Sequence, residues 1–189
     1  KQVSTVFLGD GSTEEGVFFE SINFAALKDL PILFICENNL YSVYSPLRVR
    51  QPKGRKISKV VESMGIKSQH VDGYDVKKTY EILRKAFKTI RANSKPIFVE
   101  LDTYRWREHC GPNYDNNIGY RSEYEFKKWR EKDPINLLEM DILKKDKNAL
   151  KKISLINYKI IKKIDFAFEK ADKARPPNKK EAFKKVYAN

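Results

Sequence analysis

Glycine and proline, eight of each in 189 residues, are too scarce for a collagenous, linker-like or low-complexity chain. Cysteine is scarcer still. Cys36 and Cys110 are the two, neither in a Cys-x-x-Cys pair, so no disulfide framework is expected and a reducing compartment is the economical reading. No apolar run approaches the roughly 18 residues that a membrane-spanning helix requires. The longest, at residues 31–36, is strand-sized. The chain begins with Lys1 instead of Met and enters a strand-like run almost at once, so it reads as part of something longer. What the sequence does hold is 41% apolar residues, including 11 Phe, 10 Tyr and 2 Trp, enough to build a core.

The net charge of +13 is unevenly spread. Residues 1–140 carry 23 basic against 19 acidic side chains, whereas residues 141–189 carry 15 against 6. A basic tail can attract nucleic acid or an acidic partner. Here it is Lys-rich, and Tyr158, Ile161, Ile164 and Phe168 fall at helical spacing, so it reads as a solvated helix face.

Residues 3–8 form a β-branched and aromatic run stopped by Gly9-Asp10-Gly11, the pattern of a buried strand ending in a tight turn. Ser12-Thr-Glu-Glu15 has the spacing of a capping box and predicts a helix through Phe18, Ile22, Ala25 and Ala26. Residues 31–37 predict a second buried strand closing on Asn38-Asn39, which completes one βαβ unit. A helix near 57–64, a strand near 67–71, a helix capped by Asp75 and running to about 92, and a last strand over 96–102 continue the alternation. Such alternation argues for a doubly wound, mainly parallel α/β sheet. Residues 103–120 predict a long functional loop. Ser122 and Glu125 suggest another capping box, and Asp133-Pro134 opens a wholly helical tail to about 171. The expected division is an α/β domain over 1–120 and a helical C-terminal extension over 121–189.

In open parallel sheets, ligands bind beyond the carboxyl ends of the strands. Gly9-Asp10-Gly11 and Asn38-Asn39 both fall there, one strand-to-strand traverse apart. A carboxylate, an amide oxygen and a backbone carbonyl can supply part of a Mg²⁺ shell, with phosphate oxygens and water completing it. Glycines let backbone N–H groups approach a phosphate, and a helix N-terminus favours an anion. Gly-Asp-Gly alone is a common tight turn and Asn-Asn alone a common loop start; together, at matched strand ends, they point to a cation-assisted phosphate site.

These stretches carry a specific resemblance. Gly9-Asp-Gly-Ser-Thr-Glu-Glu-Gly16, Phe19-Glu20, Asn23, Ala25-Ala26, Leu30-Pro31 and Glu37-Asn-Asn39 are similar to the thiamine diphosphate motif. More narrowly the chain resembles the alpha subunit of the first component of 2-oxo acid dehydrogenase complexes, of pyruvate, branched-chain and acetoin types. Val71-Asp-Gly73, Asp75-Val76, Thr103-Tyr-Arg105, His109, Tyr120-Arg121 and Asp133-Pro-Ile135 extend the likeness over nearly the whole chain, matching the later part of such a subunit. The resemblance implies a thiamine diphosphate-binding fold, with Mg²⁺ held by Asp10, the Asn39 side chain and the Tyr41 carbonyl. It implies diphosphate contacts from Gly9, Gly11 and Ser12, a phosphate counter-charge in Arg105, and a cofactor-facing catalytic histidine in His109. The reaction it implies is oxidative decarboxylation of a 2-oxo acid with acyl transfer to a lipoyl-bearing acyltransferase. The carboxylate that activates the cofactor belongs to a beta subunit in that family, so Glu14, Glu15 and Glu20 are not assigned to it. A heterotetramer with that beta subunit is expected, in the cytoplasm, with the mitochondrial matrix left open because the chain starts partway, and with no nucleic-acid or membrane partner. The chain by itself is expected to be inactive.

The family's frequent serine after the histidine is Cys110 here, so phosphorylation at that position is not expected, and Cys110 reads as incidental. The loop from His109 to Asp115 is longer than the usual pattern, which leaves pyruvate, branched-chain acids and acetoin open as substrates. His70 has no motif context and reads as structural. A noncatalytic basic nucleic-acid-binding or scaffold module is the alternative of another class; it accounts for the tail and leaves the strand-end residues as coincidence, and salt-titrated DNA binding separates the two.

Overall fold

The computed structural model describes residues 2–184. Four parallel strands, β1 (Ser4–Gly9), β2 (Ile32–Asn38), β5 (Lys67–Asp72) and β6 (Ile97–Asp102), form one sheet in the order β1-β2-β6-β5. Between β2 and β5 lie a two-stranded antiparallel hairpin, β3 (Tyr41–Ser42) and β4 (Ser45–Pro46), and a one-turn helix α2 (Leu47–Arg50). The other helices are α1 (Gly16–Leu27), α3 (Ile57–Ser63), α4 (Val76–Asn93), α5 (Glu123–Arg130), α6 (Pro134–Lys145) and α7 (Ala149–Asp172).

Strand alternation divides the core into two layers. Phe34 and Cys36 of β2 pack with Phe98 of β6 against Phe18 and Ile22 of α1 and Ile57 and Val61 of α3. Leu33 and Ile35 face the other way and join Ile97, Val99 and Leu101 of β6 against Ala86 and Ile90 of α4. Helices on both faces make the sheet doubly wound, as the alternation predicts. β2 and β6 are buried on both sides, which is why they read as continuous apolar runs. Burial raises the pKa of the Cys36 thiol, with the Glu100 charge adding to the effect, so Cys36 is an inert core residue.

Two caps form as the sequence predicts. The Asp75 carboxylate accepts from Lys78 N (2.9 Å) at the start of α4, and the Ser122 hydroxyl accepts from Glu125 N (3.1 Å) at the start of α5. Asp75→Ala is expected to lower stability by about 1 kcal/mol, read as a shift in urea midpoint at unchanged slope.

The third expected cap is not there. Residues Asp10–Glu14 wind into a 3-10 turn, with Thr13 Oγ1 donating to the Asp10 carbonyl (2.6 Å) and Glu15 N donating to the Ser12 carbonyl (3.3 Å). Glu15 therefore precedes α1 with no side-chain cap, and the tightening holds the strand end close to the helix. The helical tail is likewise interrupted after Lys145, where Asp146 Oδ1 accepts from Asn148 N (2.9 Å) in a local turn.

The chain separates into two compact units, one ending at Leu138 and one starting at Glu139. In the second, α7 leaves Tyr158, Ile161, Ile164 and Phe168 exposed along with its lysines. Among the described residues, no helix is long and apolar enough to cross a membrane.

Candidate cofactor site

β1 and β2 run parallel with Gly9 opposite Glu37, so the turns that follow them start at the same level of the sheet. The Asp10 carboxylate is 1% exposed and its Oδ1 accepts from Asn39 N at 3.3 Å. The two turns therefore meet. Gly11 is required there: a Cβ at this position would lie 2.6 Å from Ser42 Oγ and 2.9 Å from Ser42 Cβ, so the hairpin closes directly over the Gly-Asp-Gly turn. Ser12 is exposed beside it.

The two asparagines divide the work. Asn38 is buried; its Nδ2 donates to Glu100 Oε1 (2.9 Å) and its Oδ1 accepts from Leu40 N (3.2 Å). Glu100, itself buried in β6, also accepts from Ser58 N (2.9 Å), so one carboxylate anchors both the Asn-Asn turn and the start of α3. Asn39 Oδ1 accepts from Tyr41 N (3.0 Å), which folds the turn into the hairpin. Leu40 (φ 70°) and Val43 (φ 53°) take left-handed backbone conformations, costly for an aliphatic and a β-branched residue, the first held by its N–H bond to Asn38.

Tyr41 reaches outward. Its hydroxyl contacts both oxygens of Glu125 (2.8 and 2.9 Å), and its ring meets Tyr120 edge-on. Burial, with the Glu125 carboxylate adding to it, raises its pKa well above the usual phenol range. Arg105 Nη2 donates to the Val43 carbonyl and to the Tyr120 hydroxyl, each at 3.0 Å, tying the long loop to the hairpin. Tyr120 in turn donates to Asp115 Oδ2 (2.8 Å), and Arg121 pairs with Asp115 Oδ1 and donates from Nη1 to the Arg105 carbonyl (2.6 Å). Burial by itself favours the protonated Asp115, but Tyr120, Arg121 and Arg105 outweigh it and hold its carboxyl below the usual range. The Arg121 guanidinium also lies 5.2 Å from the Tyr104 ring centroid and 5.8 Å from that of Phe126.

Gly9, Asp10, Gly11, Asn39 and Tyr41 are thus gathered at one end of the sheet, and Arg105 is joined to their hairpin. His109 stands apart: it is exposed in the loop and makes no hydrogen bond among the described residues, as does neighbouring exposed Cys110. His70 Nε2 lies 2.7 Å from Asp102 Oδ1 at the β5–β6 edge, away from the Gly-Asp-Gly turn.

The donor chemistry suits a hard cation with an anion beside it. Among the described residues, no three His, Cys, Asp or Glu side chains cluster to hold a metal, so an ion here needs amide and carbonyl oxygens beside Asp10, as Mg²⁺ tolerates. Asp10 already carries a positive partner, since its Oδ2 pairs with the Arg50 guanidinium. Arg105 Nε and Nη1 are buried without a protein partner, leaving two donors for an anion. The sequence holds no local sign of the Arg50–Asp10 pair, whose members are 40 residues apart.

A parallel doubly wound sheet with an acidic turn and an Asn-Asn turn side by side at its carboxyl edge defines an α/β protein whose candidate site lies at that edge. The model for the family described as Dehydrogenase E1 component matches residues 1–180, and the chain belongs to that family. The pyruvate dehydrogenase E1 component subunit alpha of Rickettsia bellii is 32% identical over 181 residues, 96% of this chain and 54% of that protein. The chloroplastic pyruvate dehydrogenase E1 component subunit alpha-3 of Arabidopsis thaliana is 33% identical over 187 residues, 99% of this chain and 43% of that protein. The chain therefore spans about half the length of these curated relatives. Among solved structures, transketolase from Leishmania mexicana aligns with a TM-score of 0.47 at 22% identity, covering 55% of this chain and 15% of that one. A putative thiamin diphosphate-dependent enzyme from Mycobacterium smegmatis gives 0.44 at 22% identity, over 56% of this chain and 18% of that one.

Proposed function

We propose that this chain provides one side of a thiamine diphosphate and Mg²⁺ site in the alpha subunit of a 2-oxo acid dehydrogenase first component acting on a pyruvate-like acid. The observation that carries this reading is the contact between the Asp10 carboxylate and Asn39, which sets two oxygen-bearing turns side by side at the sheet's carboxyl edge. Family membership and pyruvate dehydrogenase alpha relatives support it.

In this proposal Asp10, Asn39 and the Tyr41 carbonyl hold the ion, Gly9, Gly11 and Ser12 border the diphosphate, and Arg105 offers its unspent donors to the same anion. The cofactor, when bound, supplies a carbon nucleophile and an electron sink. The protein's part is to position and to neutralise charge. Overall, a 2-oxo acid and a lipoyl disulfide give CO₂ and an acyl thioester of the dihydrolipoyl group. The disulfide is reduced as the substrate's carbonyl carbon is oxidised. His109 would approach from its exposed loop to assist acyl transfer. A beta subunit would supply the activating carboxylate, and a lipoyl-bearing acyltransferase would receive the product.

The test is thiamine diphosphate binding by the full chain co-produced with its beta-type subunit, with and without Mg²⁺. Asp10→Ala and Asn39→Ala are each expected to weaken metal-dependent binding at least about tenfold, roughly 1.4 kcal/mol. Unchanged binding in both would remove the site assignment.

A further inference from the structure

Arg50 spends its guanidinium on three separate pieces of chain. Its Nε donates to the Ser45 carbonyl (3.0 Å), its Nη1 pairs with Glu14, and its Nη2 pairs with Asp10 Oδ2. The Arg50 side chain is 10% exposed and the Asp10 side chain 1%. Glu14 also accepts from Gln51 Nε2 (3.0 Å), so residues 50 and 51 grip the same turn. Arg50 therefore straps the β3–β4 hairpin and α2 onto the Gly-Asp-Gly turn, at the place where Ser42 already closes over Gly11. Only a planar, forked cation can span two carboxylates and a carbonyl in this way; an ammonium is a single point of charge.

Asp10 has two oxygens. Oδ1 accepts from Asn39, and Arg50 holds Oδ2. A divalent ion arriving at Asp10 meets a resident positive charge in a poorly solvated place, where repulsion between cations is weakly screened. We infer that Arg50 is an internal counter-cation that competes with the divalent ion for Asp10, so that the grip of Glu14 and Ser45 on Arg50 sets the affinity of the ion site. This rests on the Asp10 and Asn39 reading above and adds a regulating element to it. Arg50 is a positioning residue here: it neutralises the Asp10 carboxylate and keeps the hairpin closed, and yields Oδ2 as the ion binds.

The experiment is a Mn²⁺ titration followed by electron paramagnetic resonance, on the full chain co-produced with its beta-type subunit. Wild type, Arg50→Gln, Arg50→Lys and Asp10→Ala are compared, each with urea stability measured in the absence of the ion. Arg50→Gln is expected to bind Mn²⁺ about tenfold more tightly than wild type while losing ion-free stability that Mn²⁺ restores. Arg50→Lys keeps the charge but cannot bridge Asp10, Glu14 and Ser45, and is expected to tighten binding several-fold; it carries the test if Arg50→Gln does not fold. Mn²⁺ affinity unchanged or weakened in the variants would overturn the inference, as would an Arg50→Lys protein indistinguishable from wild type. If Asp10→Ala abolishes Mn²⁺ binding while the Arg50 variants match wild type, only the counter-cation idea falls. If wild type and Asp10→Ala bind alike, the site reading falls and takes this inference with it.

Discussion

Asp115→Ala is expected to cost about 3–5 kcal/mol of stability, because it strands a buried guanidinium. The Arg121 side chain is 1% exposed and Asp115 3%, so water cannot replace the lost partner. Arg121 would keep only its bond to the Arg105 carbonyl and its neighbouring rings, while Tyr120 and Arg105 would lose their common carboxylate. The loop that carries Arg105 should loosen together with the fold. Urea unfolding gives the magnitude, and a loss below about 1 kcal/mol would show that the pair is solvated in solution.

The same group predicts a pH dependence. The folded-state pKa of Asp115 lies below its unfolded value of about 3.9, so the carboxylate's contribution is complete above that value. It is lost progressively as pH falls from about 4 through the lower, folded value. Wild type should therefore lose stability in that acid window more steeply than Asp115→Ala, which has no such carboxylate to protonate. Parallel pH profiles for the two would contradict the assignment.

Glu100→Leu is expected to destabilise the protein by roughly 3 kcal/mol, since it leaves Asn38 Nδ2 and Ser58 N buried without an acceptor. Its more telling effect is on the turn. Asn38 orients Asn39 through the chain, so metal-dependent cofactor binding should fall along with stability, although residue 100 lies within the sheet. Glu100→Gln keeps one acceptor and should recover much of both losses. Stability loss with unimpaired cofactor binding would uncouple Glu100 from the site.

The alternation of strands and helices was legible because the punctuation is local: Gly9 and Asn38 close strands, Pro31 and Pro96 precede them, and Asp75 and Ser122 bond to N–H groups three residues on. The paired turns at the carboxyl edge followed from that order alone. The capping box at Ser12 failed because Thr13 turns its hydroxyl back to Asp10 and tightens the chain. The hairpin was invisible because Leu40 and Val43 carry left-handed backbone angles that their side chains do not advertise. Arg50 and Glu100 escaped notice for a different reason. The carboxylates that Arg50 binds lie 40 and 36 residues away and the partners of Glu100 62 and 42 away, distances over which no spacing rule operates. His109 was singled out by its surroundings in the sequence, and the structure leaves it exposed with no contact that defines its role.

The central claim is that Asp10 and Asn39 share one ion. A crystal structure of the full chain with its beta-type subunit, Mg²⁺ and thiamine diphosphate tests it most directly. The expected result is a Mg²⁺ with oxygens of both Asp10 and Asn39 at about 2.0–2.1 Å and the Arg50 guanidinium withdrawn from Asp10. An ion bound without either residue, with Arg50 still paired to Asp10, would contradict it.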